Sequence, residues 1–113
     1  MTAPTDTLDR LFQSLADPTR RAILARLAQG PARVTDLAGP FDMALPSVMG
    51  HLRRLEDGGL IETRKAGRER ICSIRSGALA PARDWMTDQR LLWDARLDRL
   101  ETYLTTLTEG DGN

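Results

Sequence analysis

Cysteine, histidine and aromatic residues are scarce in this sequence. Among its 113 residues there is one cysteine, Cys72, and one histidine, His51. A single thiol closes no internal disulfide, so nothing points to an oxidising compartment. One His and one Cys do not assemble a structural zinc site within a chain, and no metal is expected. Long apolar runs are missing too, and no stretch approaches the ~20 residues that a membrane span needs. Residues 1–10 have neither a basic start nor an apolar centre, so no signal peptide is expected and the cytoplasm is the default location. There is no Gly-rich phosphate loop, no Ser-His-Asp set and no metal cluster, so neither an enzyme nor a cofactor is expected. An excess of charge is also absent, with 16 basic and 16 acidic residues. That balance argues against a histone-like coat on DNA. It leaves specific recognition open, because local placement of charge matters more than the sum.

What is present suits a soluble globular chain of one domain, residues 1–113, with 41% hydrophobic and 28% charged residues. A core this small gains from burial against a second copy. Residues 1–6 read as a loose arm. Leu8, Leu11, Phe12 and Leu15 have helical spacing and predict a first helix from Thr7 to about Ala16. Asp17 then stands as a cap with Pro18 at the first helical position, and Gly30-Pro31 closes the second helix. Residues 35–41 predict a short third helix with Thr35 as its cap, after a short extended piece at Val34. Residues 42–44 make a tight connection. A fourth helix starts at Leu45-Pro46 and ends at Asp57-Gly58-Gly59. Its Val48, Leu52 and Leu55 form a core stripe.

The period then changes. Residues 60–65 and 70–75 read as two strands joined by a Gly-containing turn over residues 66–69, a β-hairpin. From Gly77 to about Thr108 the chain turns helical again, as one helix or two. Trp93, Leu97, Leu100, Leu104 and Leu107 step in fours and threes, a heptad-like seam. Residues 109–113 read as a flexible end.

Two short helices joined by a tight turn and followed by a basic hairpin are the order of a winged helix-turn-helix: mainly α with a small β-hairpin, α-α-α-α-β-β-α. In that architecture the second helix of the pair enters the major groove and the hairpin tracks phosphates. Charge agrees, for residues 47–75 hold seven basic and four acidic side chains in a chain of zero net charge. For the hairpin alone, a solvated edge with alternating charge is an equal reading. The whole order favours double-stranded DNA.

Residues 15–24, Leu-Ala-Asp-Pro-Thr-Arg-Arg-Ala-Ile-Leu, resemble the second-helix signature of ArsR-family repressors. Residues 45–61, from Leu45-Pro46-Ser47 through Gly58-Gly59-Leu60-Ile61, resemble that family's recognition helix and its lead into the wing. The similarity spans roughly residues 8–75. The closing segment from Trp93 to Leu104 resembles a branch often encoded beside proteins of the SRPBCC fold. The resemblance implies a homodimeric repressor on an inverted-repeat operator, with recognition helices about 34 Å apart. It assigns DNA contacts to Pro46, Ser47, Met49, Gly50, His51, Arg53 and Arg54 in the helix, and to Arg64, Lys65, Arg68 and Arg70 in the wing. Arg53 is the expected base reader, since Arg pairs bidentately with guanine. It assigns the dimer interface to the first and last helices, through Leu8, Leu11, Phe12, Leu15, Trp93, Leu97, Leu100 and Leu104. It does not extend to metal sensing, because the third helix has no Cys and the last helix no His.

This sequence departs from the family at Ala44, Met49 and Gly50, where hydroxyl or polar residues are usual. Those departures keep open a DNA-silent module that works through its last helix. A second alternative is a thiol-redox repressor acting through Cys72, if neighbouring arginines lower its pKa. Trp85, Trp93 and Tyr103 suit an interface core better than a pocket for a small effector. Arg20 and Arg21 suit a structural ion pair at least as well as a phosphate.

Overall fold

The second helix begins where its capping residue stands, after Asp17. The computed structural model describes residues 3–111, with side chains over 6–109. Helix α1 spans Ala3–Leu15 and α2 spans Pro18–Leu27. Between them Asp17 is extended, and its carboxylate accepts from the Arg20 backbone N–H at 3.0 Å. That bond, which satisfies a free helical donor, holds the Asp17 carboxyl below the usual carboxylate range. The same turn closes the end of α1. Arg20 donates through Nε to the Ser14 carbonyl at 2.8 Å and through Nη2 to the Gln13 carbonyl at 3.0 Å. Arg21 Nη1 donates to the Leu15 carbonyl at 2.7 Å. Carbonyls that no helical N–H can reach are thereby satisfied. Both guanidinia are engaged within the fold, but on backbone carbonyls, not in the ion pair with a carboxylate that the sequence suggested.

Strand β1, Ala32–Arg33, leads directly into α3, Val34–Ala38, then a single 3-10 turn, Gly39–Phe41. Asp42 takes a left-handed φ of 48° and reverses the chain into α4, Leu45–Asp57. Strands β2, Ile61–Ala66, and β3, Glu69–Ile74, form the hairpin, and α5 runs over Ala80–Asp111. The sheet has three antiparallel strands in the order β1-β3-β2. Its third strand was visible in the sequence only as an extended piece near Val34. Val34 itself opens α3, and Arg33 rather than Thr35 holds the cap position.

The ends differ from expectation as well. The arm expected over residues 1–6 is helical from Ala3, and residues 1–2 lie outside the described residues. Helix α5 is one uninterrupted helix of 32 residues that passes Thr108 and reaches Asp111. Residues 112–113 lie outside the described residues. The chain divides into two units, Met1–Ala82 and Arg83–Asn113.

In the first unit α2, α3 and α4 pack against the sheet, and α1 packs on α2 and α4. Leu11, Ile23, Leu37, Val48, Leu55 and Ile61 are all at most 1% exposed. Leu11, expected at a dimer interface, is thus spent inside its own protomer. Phe12 and Leu15 are partly buried against the same core, and Leu8 is half-buried. Cys72 sits opposite Ala32 on one side and Thr63 on the other, fully buried between two strands. Burial pushes its thiol up, Glu56 adds to the rise, and Arg70 opposes it. A thiol in that state lacks the thiolate character that redox sensing needs.

The approach of α1 to the end of α4 is close. Ser14, 3% exposed, donates from Oγ to the Arg54 carbonyl at 2.7 Å. A Cβ on Gly58 would fall onto Ser14 Oγ and lie 3.1 Å from the Arg10 carbonyl. Glycine is therefore required at 58 by packing. At Gly50 a Cβ would meet nothing within 4 Å.

Gly58→Ala should lower stability by about 1–3 kcal/mol through overpacking. Gly50→Ala should raise it by up to about 1 kcal/mol through helix propensity. Thermal melts of the two variants read both signs, and a destabilised Gly50→Ala would contradict an open site there. Cys72 should react with a disulfide-exchange reagent only as fast as the sheet opens. Complete labelling of native protein within the mixing time would contradict its burial.

Candidate nucleic-acid interface

Helix α4 turns one stripe to the core and the opposite face outward. Val48, Leu52 and Leu55 are buried, and Pro46, Ser47, Gly50, Arg53 and Arg54 are exposed. These five expected contacts share an accessible side. Two others do not. Met49 is half-buried and packs against the core. His51 turns toward the start of α2, where its Nδ1 lies 3.3 Å from Arg20 Nη1 and 3.9 Å from Asp17 Oδ2. A guanidinium can only donate, so Nδ1 is the acceptor in that pair. Their helical angle explains both corrections, because positions 49 and 51 flank the core stripe instead of opposing it.

The hairpin register sorts the wing residues by face. Thr63 pairs with Cys72, Arg64 with Ile71, and Lys65 with Arg70. Directly opposed residues share a face and successive residues alternate. Lys65 and Arg70 therefore lie on the same face as Thr63 and Cys72, and Arg64 lies on the other. Arg70 meets Arg53, Glu56 and Thr63 around a cleft of about 130 Å³ between α4 and the hairpin. Arg68 stands in the turn beside Gly67, whose φ of 64° only glycine adopts freely.

Two acidic groups of this region are already engaged. Glu56 Oε1 accepts from Thr63 Oγ1 at 2.7 Å, and Glu69 Oε1 accepts from Arg33 Nη1 at 2.9 Å. Arg33 Nε also donates to Asp36 Oδ2 at 2.9 Å, so one guanidinium ties the hairpin to α3. Those bonds raise the Arg33 pKa and hold the Asp36 carboxyl below its usual range. Nothing in the sequence singled out Arg33, because its two partners meet only when β1 pairs with β3.

Within residues 20–70 the basic residues fall into two groups. Arg20, Arg21, Arg26 and Arg33 all donate to protein acceptors. Among the described residues, Arg53, Arg54, Arg64, Lys65, Arg68 and Arg70 have no protein hydrogen-bond or ion-pair partner. Cations left unpaired along an exposed helix face and hairpin form the electrostatic footprint of a phosphate-rich ligand. On the other flank of α4, Arg10 and Gln13 of α1 face Gly50, Arg53, Arg54 and Asp57 across a groove of about 590 Å³. Arg10 and Gln13 were not among the expected site residues. Their place depends on the close crossing at Gly58, which has no sequence signature.

Among the described residues, no group of three or more His, Cys, Asp or Glu is placed to hold a metal ion. No described helix is long and apolar enough to cross a membrane.

Residues 15–64 match a helix-turn-helix domain family. The chain is 40% identical over 89 residues to the HTH-type transcriptional regulator Rv2034 of Mycobacterium tuberculosis, covering 79% of this chain and 80% of that protein. It is 30% identical over 79 residues to the transcriptional repressor SdpR of Bacillus subtilis, covering 70% of this chain and 88% of that protein. A crystal structure of an ArsR family transcriptional regulator superimposes with a TM-score of 0.76 at 51% identity, covering 80% of this chain and 93% of that one. The helix pair, the basic hairpin and these likenesses agree: the chain belongs to the ArsR family of winged helix-turn-helix transcriptional regulators.

Proposed function

We propose that this chain is a homodimeric repressor, binding an inverted-repeat operator through α4 and the β2–β3 wing and acting in the cytoplasm. The observation that carries this reading is the row of unpartnered cations on the exposed face of α4 and along the hairpin. Helix α4 enters the major groove with Pro46, Ser47, Gly50, Arg53 and Arg54 toward the DNA. Arg53 lies at the wing-side edge of that face and reads a guanine edge by paired hydrogen bonds. Arg68 at the wing tip, with Lys65, Arg70 and Arg64, takes phosphates or the adjacent minor groove. Repression is steric, the bound dimer excluding RNA polymerase. That sense is supported by the repressor among its relatives.

Dimerisation is supported by α5. None of the side chains over residues 83–109 is buried, so this segment has no core of its own. Trp93, Leu97, Leu100 and Leu104 are each at least half exposed and fall on one heptad seam. Apolar stripes of this kind on a helix roughly 48 Å long mark a protein–protein interface. From α1, Leu8, Phe12 and Leu15 keep some accessible surface, which in this reading a second copy covers.

Arg53→Ala should cost about 1–3 kcal/mol on the operator and much less on random duplex. Arg68→Ala should weaken both sequences about equally. Selection of bound genomic fragments followed by titration of the enriched site reads the two effects. Equal losses for Arg53→Ala on both duplexes would remove its base-reading role. A folded dimer without salt-dependent binding would turn the assignment to a protein-interaction module. Leu100→Glu should split the dimer in sedimentation, and a dimeric variant would contradict the α5 interface.

A further inference from the structure

The groove between α1 and α4 holds charges that the recognition helix and wing do not account for. It is an open, polar groove of about 590 Å³ lined by Arg10, Gln13 and Ser14 of α1 and by Gly50, Arg53, Arg54 and Asp57 of α4. Among the described residues Arg10, Arg53 and Arg54 have no hydrogen-bond or ion-pair partner, and neither has Asp57. Ser14 is unavailable to a ligand, because its hydroxyl donates to the Arg54 carbonyl. Three free guanidinia against one free carboxylate leave the groove cationic. Arg53 lines this groove and also the cleft beside Arg70, so it stands on the ridge between the two.

A helix lying in the major groove has a phosphate strand on each side of it, about 12 Å apart. The hairpin lies on the Arg70 side of the ridge. The other strand faces α1. We propose that α1 is part of the DNA-binding surface: Arg10, assisted by the Gln13 amide and by Arg54, binds the phosphodiester backbone on the flank of α4 opposite the wing. The inference rests on the reading of α4 as the DNA-facing helix. It adds a second phosphate clamp, so that the recognition helix is held from both sides. A clamp of this kind positions the helix without reading sequence. Asp57 would face the same strand and weaken its binding, which sets an upper limit on non-specific affinity.

The test is a salt titration on operator and random duplexes with Arg10→Gln, Arg10→Lys, Asp57→Asn and, as a wing reference, Arg68→Ala. Each phosphate contact contributes about 0.9 to the slope of log affinity against log salt. Arg10→Gln should lower the slope by about 1 per recognition helix on both duplexes, with circular dichroism unchanged. Arg10→Lys should restore it. Asp57→Asn should tighten both duplexes by several fold. An unchanged slope in Arg10→Gln beside a reduced slope in Arg68→Ala overturns the clamp and leaves the reading of α4 and the wing standing. An unchanged affinity in Asp57→Asn removes the strand from that side of the groove. Salt-independent binding by the unsubstituted protein overturns both readings together.

Discussion

Ser14 is buried between α1 and α4, and its hydroxyl hands a hydrogen bond to the Arg54 carbonyl at 2.7 Å. Gly58 stands beside it with no side chain, which lets the two helices close. This contact gives the Arg54 carbonyl a second donor beside the Gly58 N–H and ties α1 to the end of α4. Arg20 adds a second restraint, binding two α1 carbonyls and approaching His51 on α4. The outward face of α4 is accessible because its other sides are taken: the core holds Leu52 and Leu55, α2 holds His51, and the hairpin side holds Met49.

Electrostatic function follows from what the arginines do locally. Near the α1–α2 turn and at β1 they are consumed by carbonyls and carboxylates, and their charge serves packing. On α4 and the hairpin they are free. A neutral chain can therefore present a cationic face without any net charge, because acidic groups such as Glu69 and Glu56 are bonded to neighbours in the fold. Residues 83–113 of the second unit hold seven acidic and four basic side chains, so the charge that the body lacks is carried by the C-terminal helix.

The departures at Met49 and Gly50 are of two kinds. Met49 packs against the core, so a hydroxyl there would lie beside the core stripe and not on the exposed face. Gly50 lies on the accessible face with open space around it, and nothing in the packing requires glycine there.

Local chemistry in the sequence was enough to determine the order of the helices and the hairpin, the cap at Asp17, the core stripe of α4 and the heptad seam of α5, but not the strand Ala32–Arg33, which exists only by pairing with β3. Each of the former is set by residues three, four or a few positions apart, and family signatures in residues 15–24 and 45–61 carried the DNA-binding assignment. Tertiary structure alone decided which residues of α4 and the hairpin reach the accessible surface. His51 and Met49 lie one residue either side of an exposed position, and only the packing of α2 and the core shows that they turn inward. Arg10 and Arg33 acquire their roles from partners more than 30 residues away, Glu69 in one case and the α4 groove in the other. The division of wing residues between two faces follows from the Thr63–Cys72 register, which depends on burying Ile61 and Cys72 together. Periodicity specifies which side of an element is apolar. It does not specify what that side meets, because the partner is supplied by a distant part of the chain.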